Sequence, residues 1–309
     1  MDLSVKLGPL RLANPLLTAS GCYGYGTEFG DLCPPGLFGA VVVKGTTPEP
    51  RSGNPPPRLA EVAGGLLNAI GLENPGLDGF LKLHLPRLRR YQVPVIVNIA
   101  GHRVEDYREM AARLDQVEGV DALEVNISCP NVRQGGMAFG VDPASTAAVV
   151  RAVRRVTTKP LLVKLTPNVA DPVPIARAAV DEGADVLSMI NTLVGMRIDV
   201  ERRRPVLGNI TGGLSGPAIR PVAVRMIWQV YRAVPAPIVG MGGVTSAEDA
   251  LEFFLAGASA VALGTVLLRD PGAPVQVLDG IREYLVRHRF RSVGELVGLA
   301  HRNAGGGGT

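Results

Sequence analysis

PLLVKLT, residues 160 to 166, opens on a proline, runs through apolar side chains and closes on a lysine and a threonine. A short apolar run bounded in this way reads as a strand buried on both faces, and its polar end marks where the chain leaves the core. Other runs share the form: PLLTAS (15–20), AVVVKG (40–45), VPVIVNIA (93–100), ALEVNIS (122–128), DVLSMINT (185–192), PIVGMGG (237–243) and AVALGT (260–265). The segments between them have helical apolar spacing. Some carry helix signals, such as Asp142-Pro143 before ASTAAVVRAVRRV, and TSAEDALEFFLAGA with Thr245 or Ser246 as N-cap and Gly257 at its end.

Eight strand and helix units suggest a parallel sheet closed into a barrel, with a doubly wound open sheet as the competing arrangement. An open sheet gathers its ligand at one switch point, whereas a barrel draws its site from the carboxyl ends of all its strands. Here the runs end on Ser20, Lys44, Asn98, Asn126 to Ser128, Lys164, Asn191 and Thr192, Gly242 and Gly243, and Gly264 and Thr265. Contributions from every strand favour an α/β fold of the (β/α)8 TIM-barrel type, as one domain over residues 1–309. Two long excursions, 46–72 and 193–215, are expected to form lids or interfaces at the carboxyl face, and the glycine tail 305–309 is expected to be disordered.

The chain of 309 residues is 46% hydrophobic, yet charges and glycines interrupt every window before the roughly eighteen apolar residues of a membrane span accumulate. No basic segment followed by an apolar run opens the sequence, so a cytoplasmic protein is expected. Three cysteines, Cys22, Cys33 and Cys129, lack C-x-x-C spacing and cannot supply four ligands, which excludes a structural zinc or an all-cysteine iron–sulfur cluster held by this chain alone. Any cluster would sit on a partner. The net charge of +4 comes from dispersed arginines with one local run, ERRRP (201–205), and reads as a solvated surface rather than a nucleic-acid site. The four histidines show no metal-ligand pairing.

The polar strand ends carry the chemistry. Cys129 follows the fourth run within EVNISCPN (124–131), flanked by Asn126, Ser128 and Asn131 and stiffened by Pro130. A thiol there could be a small core residue, but its polar setting favours a reactive role. A nucleophilic cysteine calls for an activating histidine, and His102, in IAGHR, has no evident acid to orient it, so proton abstraction by the thiolate is the leading role. Lys44 and Lys164 end the second and fifth runs; two ammonium groups at one mouth call for an anionic ligand or an electron-rich cofactor. Asn68, Asn98, Asn126, Asn131 and Asn191 offer paired donors and acceptors suited to a planar ring with alternating N–H and C=O groups, such as a pyrimidine. GMGGV (240–244) and ALGT (262–265) fit a phosphate cradle after the last two strands, where small residues let the backbone approach.

The set ASGCYGYG (19–26), VVVKGTT (41–47), NAIGLENPG (68–76), VNIAG (97–101), EVNISCPN, VKLTPN (163–168), INT (190–192), GGLSGPAIRP (212–221) and GMGGV resembles dihydroorotate dehydrogenase, in order and over nearly the whole chain. Cysteine at 129 is similar to the class 1 enzymes, and ASGCYGYGTEF to subclass 1B more than 1A. The resemblance implies oxidation of dihydroorotate to orotate in pyrimidine (UMP) biosynthesis, with Cys129 taking the C5 proton while hydride passes from C6 to FMN. It implies FMN contacts at Ser20, Lys44, Gly45, Asn98, Asn126, Lys164, Ile190, Gly216, Gly242, Gly243, Gly264 and Thr265, the last four at the phosphate. It implies substrate contacts at Lys44, Asn68, Ala69, Ile70, Gly71, Leu72, Asn126, Asn131, Asn191 and Thr192, and no metal. A 1B enzyme implies a homodimer joined by a partner subunit carrying FAD and a [2Fe-2S] cluster, in a heterotetramer that passes electrons to NAD. A fumarate-linked 1A enzyme, a flavin barrel reducing another pyrimidine as in dihydropyrimidine dehydrogenase, and a noncatalytic phosphate-binding barrel are the alternatives.

Overall fold

The structure, a computed structural model, describes residues 2–128 and 137–304, so Cys129, Asn131 and the glycine tail lie outside the described residues. The expected strands appear as β1 (Leu16–Thr18), β2 (Val41–Val42), β3 (Val95–Ile99), β4 (Ala122–Asn126), β5 (Leu161–Lys164), β6 (Val186–Met189), β7 (Ile238–Met241) and β8 (Ala260–Leu263). They form one parallel sheet in which neighbours in sequence are neighbours in space and β8 pairs with β1. A parallel bridge between Leu17 and Ala40 joins β1 to β2 and closes the ring. The fold is therefore a (β/α)8 barrel and not the open sheet.

The first two strands are shorter than their apolar runs. At their seam the hydroxyl of Thr18 takes the place of a ladder: it donates to the Val42 carbonyl (3.0 Å) and accepts from the Val42 N–H (2.9 Å). Both groups are buried, so this side chain satisfies backbone polarity that would otherwise be orphaned.

Alternation along the strands sends one set of side chains outward to the helices and another into the barrel. Leu17, Ala40, Val42, Ile96, Ala122, Leu162, Val186, Val239 and Ala260 form the interior cluster. Its floor is a hairpin that the sequence reading leaves out, Val5–Leu7 paired with Leu10–Leu12, whose Leu7, Leu10 and Leu12 join the same cluster. Gly8, at φ 55°, turns this hairpin against Asp185, the residue before β6, which places the plug at the amino end. The opposite end is left to the polar strand termini.

The two excursions combine. Leu59–Val62, Gly65–Asn68, Thr211–Ser215 and Leu193–Met196 form a four-stranded antiparallel sheet, and Ile198–Asp199 pairs with Arg204–Pro205 beyond it. Since these segments leave from the carboxyl ends of β2 and β6, the sheet stands at the mouth. Among the described residues no helix is long and apolar enough to cross a membrane.

Candidate active site

A cavity of about 880 Å³ opens at the carboxyl ends of the strands, of the size of a cofactor pocket. Its walls include Ser20, Lys164, Ile190, Gly216, Gly242, Gly243, Gly264 and Thr265, together with Asn191 and Thr192. These come from segments spread over 245 residues of sequence, gathered because each follows a barrel strand or, for Gly216, the excursion sheet.

One wall is built from glycine. Gly243 (φ 84°) and Gly216 (φ 100°) hold backbone conformations that L side chains rarely adopt, and they touch. A Cβ on Gly243 would lie 2.8 Å from the Gly216 carbonyl oxygen, and one on Gly216 would lie 2.8 Å from the Gly65 Cα. Nothing larger than hydrogen fits, so the wall presents bare backbone. Beside it the Thr265 hydroxyl donates to Ser215 Oγ at 2.8 Å.

Behind this wall lies a buried brace. Asp249 Oδ2 accepts from the Thr245 N–H (2.8 Å), the Thr245 hydroxyl (2.7 Å) and the Ser246 N–H (3.1 Å), while Arg220 pairs with its other oxygen. Burial alone would push the Asp249 carboxyl up, but the Thr245 hydrogen bonds, Arg220 and Ser246 outweigh it and hold it below the usual range. Ser246, rather than Thr245, is the N-cap of the helix Ala247–Ala256, and with Asp249 it makes a capping box. Neither Asp249 nor Arg220 stands at a strand end, where the sequence points to the site, although the S-x-x-D spacing at 246–249 is a visible signal for the first.

The electrostatic centre is Lys164, 4% exposed, at the end of β5. Its Nζ donates to Ser20 Oγ at 2.9 Å, which joins the termini of β5 and β1 across the mouth. An ammonium this deep is costly without an electron-rich neighbour. Lys44, two residues beyond β2, is half-buried and outside the cavity wall.

Asn98 and Asn126 also stand outside the cavity wall. Asn126 donates to Asn98 Oδ1 (3.2 Å), and Asn98 donates to Glu124 Oε1 (2.6 Å). A Cβ on Gly45 would lie 3.0 Å from Asn98 Oδ1 and 3.0 Å from Leu72, which brings Gly45, Leu72 and this pair together. The segment from Asn68 to Leu72 is held from outside: Asn54 donates to the Ala69 carbonyl (3.1 Å) and Asn74 to the Leu72 carbonyl (2.7 Å), and Gly71 turns against Asn54. Ile70 accepts from the Asn54 N–H at 2.9 Å. Neither Asn54 nor Asn74 is singled out by the sequence reading, yet both precede proline, where asparagine favours turns. Asn68 and Thr192 converge on Gly213: Asn68 donates to its carbonyl at 3.1 Å, and a Cβ there would lie 2.0 Å from the Thr192 hydroxyl.

Two thiols lie among the described residues. Cys22 lines the cavity, where burial pushes its thiol up against the pull of Lys164; Cys33 is raised by burial to about 11. Both stay protonated near neutrality. His102 hydrogen-bonds Arg51 and is not in the cavity wall. Among the described residues no group of three His, Cys, Asp or Glu side chains is placed to hold a metal.

Fold and mouth together define a barrel of the enzyme type, with its polar groups collected at the strand carboxyl ends. The family model described as dihydroorotate dehydrogenase matches residues 2–285, and the chain belongs to that family. It is 57% identical over 302 residues to the catalytic subunit of dihydroorotate dehydrogenase B (NAD(+)) from Desulforudis audaxviator, covering 98% of each chain. It is 54% identical over 297 residues to the subunit of the same name from Citrifermentans bemidjiense, covering 96% of this chain and 97% of that one. Among solved structures, DHODH from Eimeria tenella in complex with ferulenol superposes with a TM-score of 0.82 at 26% identity, over 97% of this chain and 89% of that one.

Proposed function

We propose that this chain oxidises dihydroorotate to orotate on a bound FMN and that NAD is the final acceptor through a partner subunit. The observation that carries the reading is the shared cavity: a buried Lys164 and a bare-backbone wall at Gly216 and Gly243 face one space of about 880 Å³. A flavin mononucleotide matches both, since its isoalloxazine carries ring carbonyl oxygens and gains negative charge on reduction, and its phosphate needs close backbone approach. Gly242, Gly243, Gly264 and Thr265 would hold the phosphate. Ser20, Lys44, Gly45, Asn98, Asn126, Lys164, Ile190 and Gly216 would hold the rest, with Lys164 offsetting negative charge on the ring system. Bound FMN supplies the two-electron acceptor that the reaction requires.

The chain's own residues do the remainder. Cys129 removes the C5 proton of dihydroorotate, so that C5 and C6 become doubly bonded as the C6 hydrogen leaves with its electron pair. Supporting this is its place directly after Ser128, whose N–H and hydroxyl are tied to Asn126. Lys44, the segment Asn68 to Leu72, Asn126, Asn131, Asn191 and Thr192 read the ring amides and carboxylate. For the partner, the relatives are named catalytic subunits of an NAD(+) enzyme, and three cysteines without cluster spacing leave FAD and [2Fe-2S] to a second chain. A heterotetramer built on a homodimer is the assembly we propose.

Conversion of dihydroorotate to orotate by the purified chain with an artificial electron acceptor tests the reading. Turnover there, with NAD reduction appearing only when the partner is added, is the expected result; a chain that never yields orotate contradicts it.

A further inference from the structure

Glu124 is the one acidic side chain in the described part of any barrel strand that alternation turns inward: it shares its face with Ala122 and Asn126, and Ala122 belongs to the interior cluster. It is 1% exposed. Its Oε1 accepts from Asn98, its Oε2 has no hydrogen-bond partner, and no salt bridge among the described residues reaches it. A buried carboxylate so poorly compensated is costly, and a leucine would fill the space without that cost. What the carboxylate supplies is direction, because it accepts hydrogen bonds and donates none.

Asn98 must therefore turn its NH₂ down to Glu124 (2.6 Å), leaving Oδ1 to accept from Asn126 Nδ2 (3.2 Å). Asn126 Oδ1 is then left to accept from the Ser128 hydroxyl (3.2 Å) and N–H (3.3 Å). With its proton committed to Asn126, Ser128 Oγ accepts from Asn191 Nδ2 (2.9 Å), and Asn191 Oδ1 accepts from the Thr192 N–H (2.8 Å). The chain climbs from the barrel core to a residue on the cavity wall, and every link points the same way. Backbone N–H groups at the top agree with the carboxylate at the base. One amide N–H of each asparagine is committed to the chain, which fixes where the other N–H points.

We infer that Glu124 is a positioning residue: through Asn98 and Asn126 it sets the donor and acceptor sense in which Asn126 and Asn191 meet the substrate ring. The inference rests on the proposed reading, in which those asparagines bind dihydroorotate. Glu124→Gln keeps the shape but can turn an NH₂ toward Asn98, admitting the opposite sense; Glu124→Leu removes the anchor. The measurements are orotate binding to the FMN-loaded proteins, followed by the change in flavin absorbance, and FMN binding to the apoproteins, followed by flavin fluorescence. For Glu124→Gln we expect an orotate Kd about tenfold weaker and a parallel rise in the KM for dihydroorotate, with kcat falling less than about threefold and the melting temperature little changed. FMN affinity should weaken as well, and Glu124→Leu should lose more of both. Should Glu124→Leu fail to fold, Glu124→Gln decides alone. Orotate and FMN affinities within twofold of the parent would overturn the inference. A parent protein that takes up FMN but neither binds orotate nor oxidises dihydroorotate would instead sink the reading beneath it.

Discussion

Lys164 and Asp249 show how single side chains divide the work at the mouth. Lys164 lines the cavity with a hydrogen bond to Ser20, whereas Asp249 lies behind the cavity wall and commits its oxygens to the turn that carries the glycines. Because the folded carboxyl of Asp249 is held below its ordinary value, its stabilisation is fully present above a pH of about 4 and is lost as pH falls through the depressed folded value. Asp249→Asn should then be less stable than the parent by about 1–3 kcal/mol at pH 7, and the gap should narrow on acidification below about pH 4, as thermal melts at the two pH values would record. A constant gap would assign the effect to packing. For Cys129, the proposed base, Cys129→Ala should lower turnover by about 100-fold or more while FMN stays bound. Cys129→Ser should recover activity only in alkaline solution, since a hydroxyl is a far poorer base. Normal turnover by the alanine variant would remove Cys129 from the mechanism.

At the scale of elements, what the sequence displays is strand identity, because burial on both faces leaves apolar runs that end abruptly in polar residues. PLLVKLT becomes Leu161–Lys164 with the lysine at the mouth, and DVLSMINT ends its ladder at Met189, so that Asn191 and Thr192 fall on the cavity wall. What it hides is pairing between distant segments. The plug hairpin of residues 5–12 is a pair of three-residue strands with too little alternation to register, and the excursion sheet joins strands about 145 residues apart, as in Gly213 with Asn68. The Thr18 seam is equally invisible, since a threonine at a strand end has no distinctive neighbours. Its role predicts that Thr18→Val destabilises the protein by about 2 kcal/mol or more, two buried backbone groups being left unpaired, and that Thr18→Ser costs clearly less; urea unfolding separates them. Equal effects would mean that the methyl group and not the hydroxyl matters. In the glycine wall, Gly243→Ala should weaken FMN binding to the apoprotein at least about tenfold, through a strained φ and a Cβ pressed on the Gly216 carbonyl. Unchanged affinity would show that the backbone there does not approach the phosphate.

For the whole molecule, closure of the barrel is what makes a site from residues as far apart as Ser20 and Thr265: every strand delivers its polar terminus to one end, and the hairpin seals the other. That placement was legible in part: eight strand ends, polar or glycine, could be read as one ring once a barrel was chosen, and those of β1, β5, β6, β7 and β8 do line the cavity. The supports were not, because Glu124, Asn54, Asn74 and Arg220 touch other side chains or backbone far from them in sequence or outside any motif, and only the folded chain brings those partners together. The lysine, the asparagine ring and the glycine wall together make a claim about discrimination: this mouth should accept a dihydropyrimidine that carries a carboxylate and pass its electrons to a flavin. Anaerobic mixing of the purified, FMN-loaded protein with dihydroorotate, watched at the visible flavin band, tests it most directly. Rapid bleaching by dihydroorotate, and bleaching slower by orders of magnitude with dihydrouracil, is the predicted result; a flavin that stays oxidised, or that is reduced equally fast by both, would contradict it.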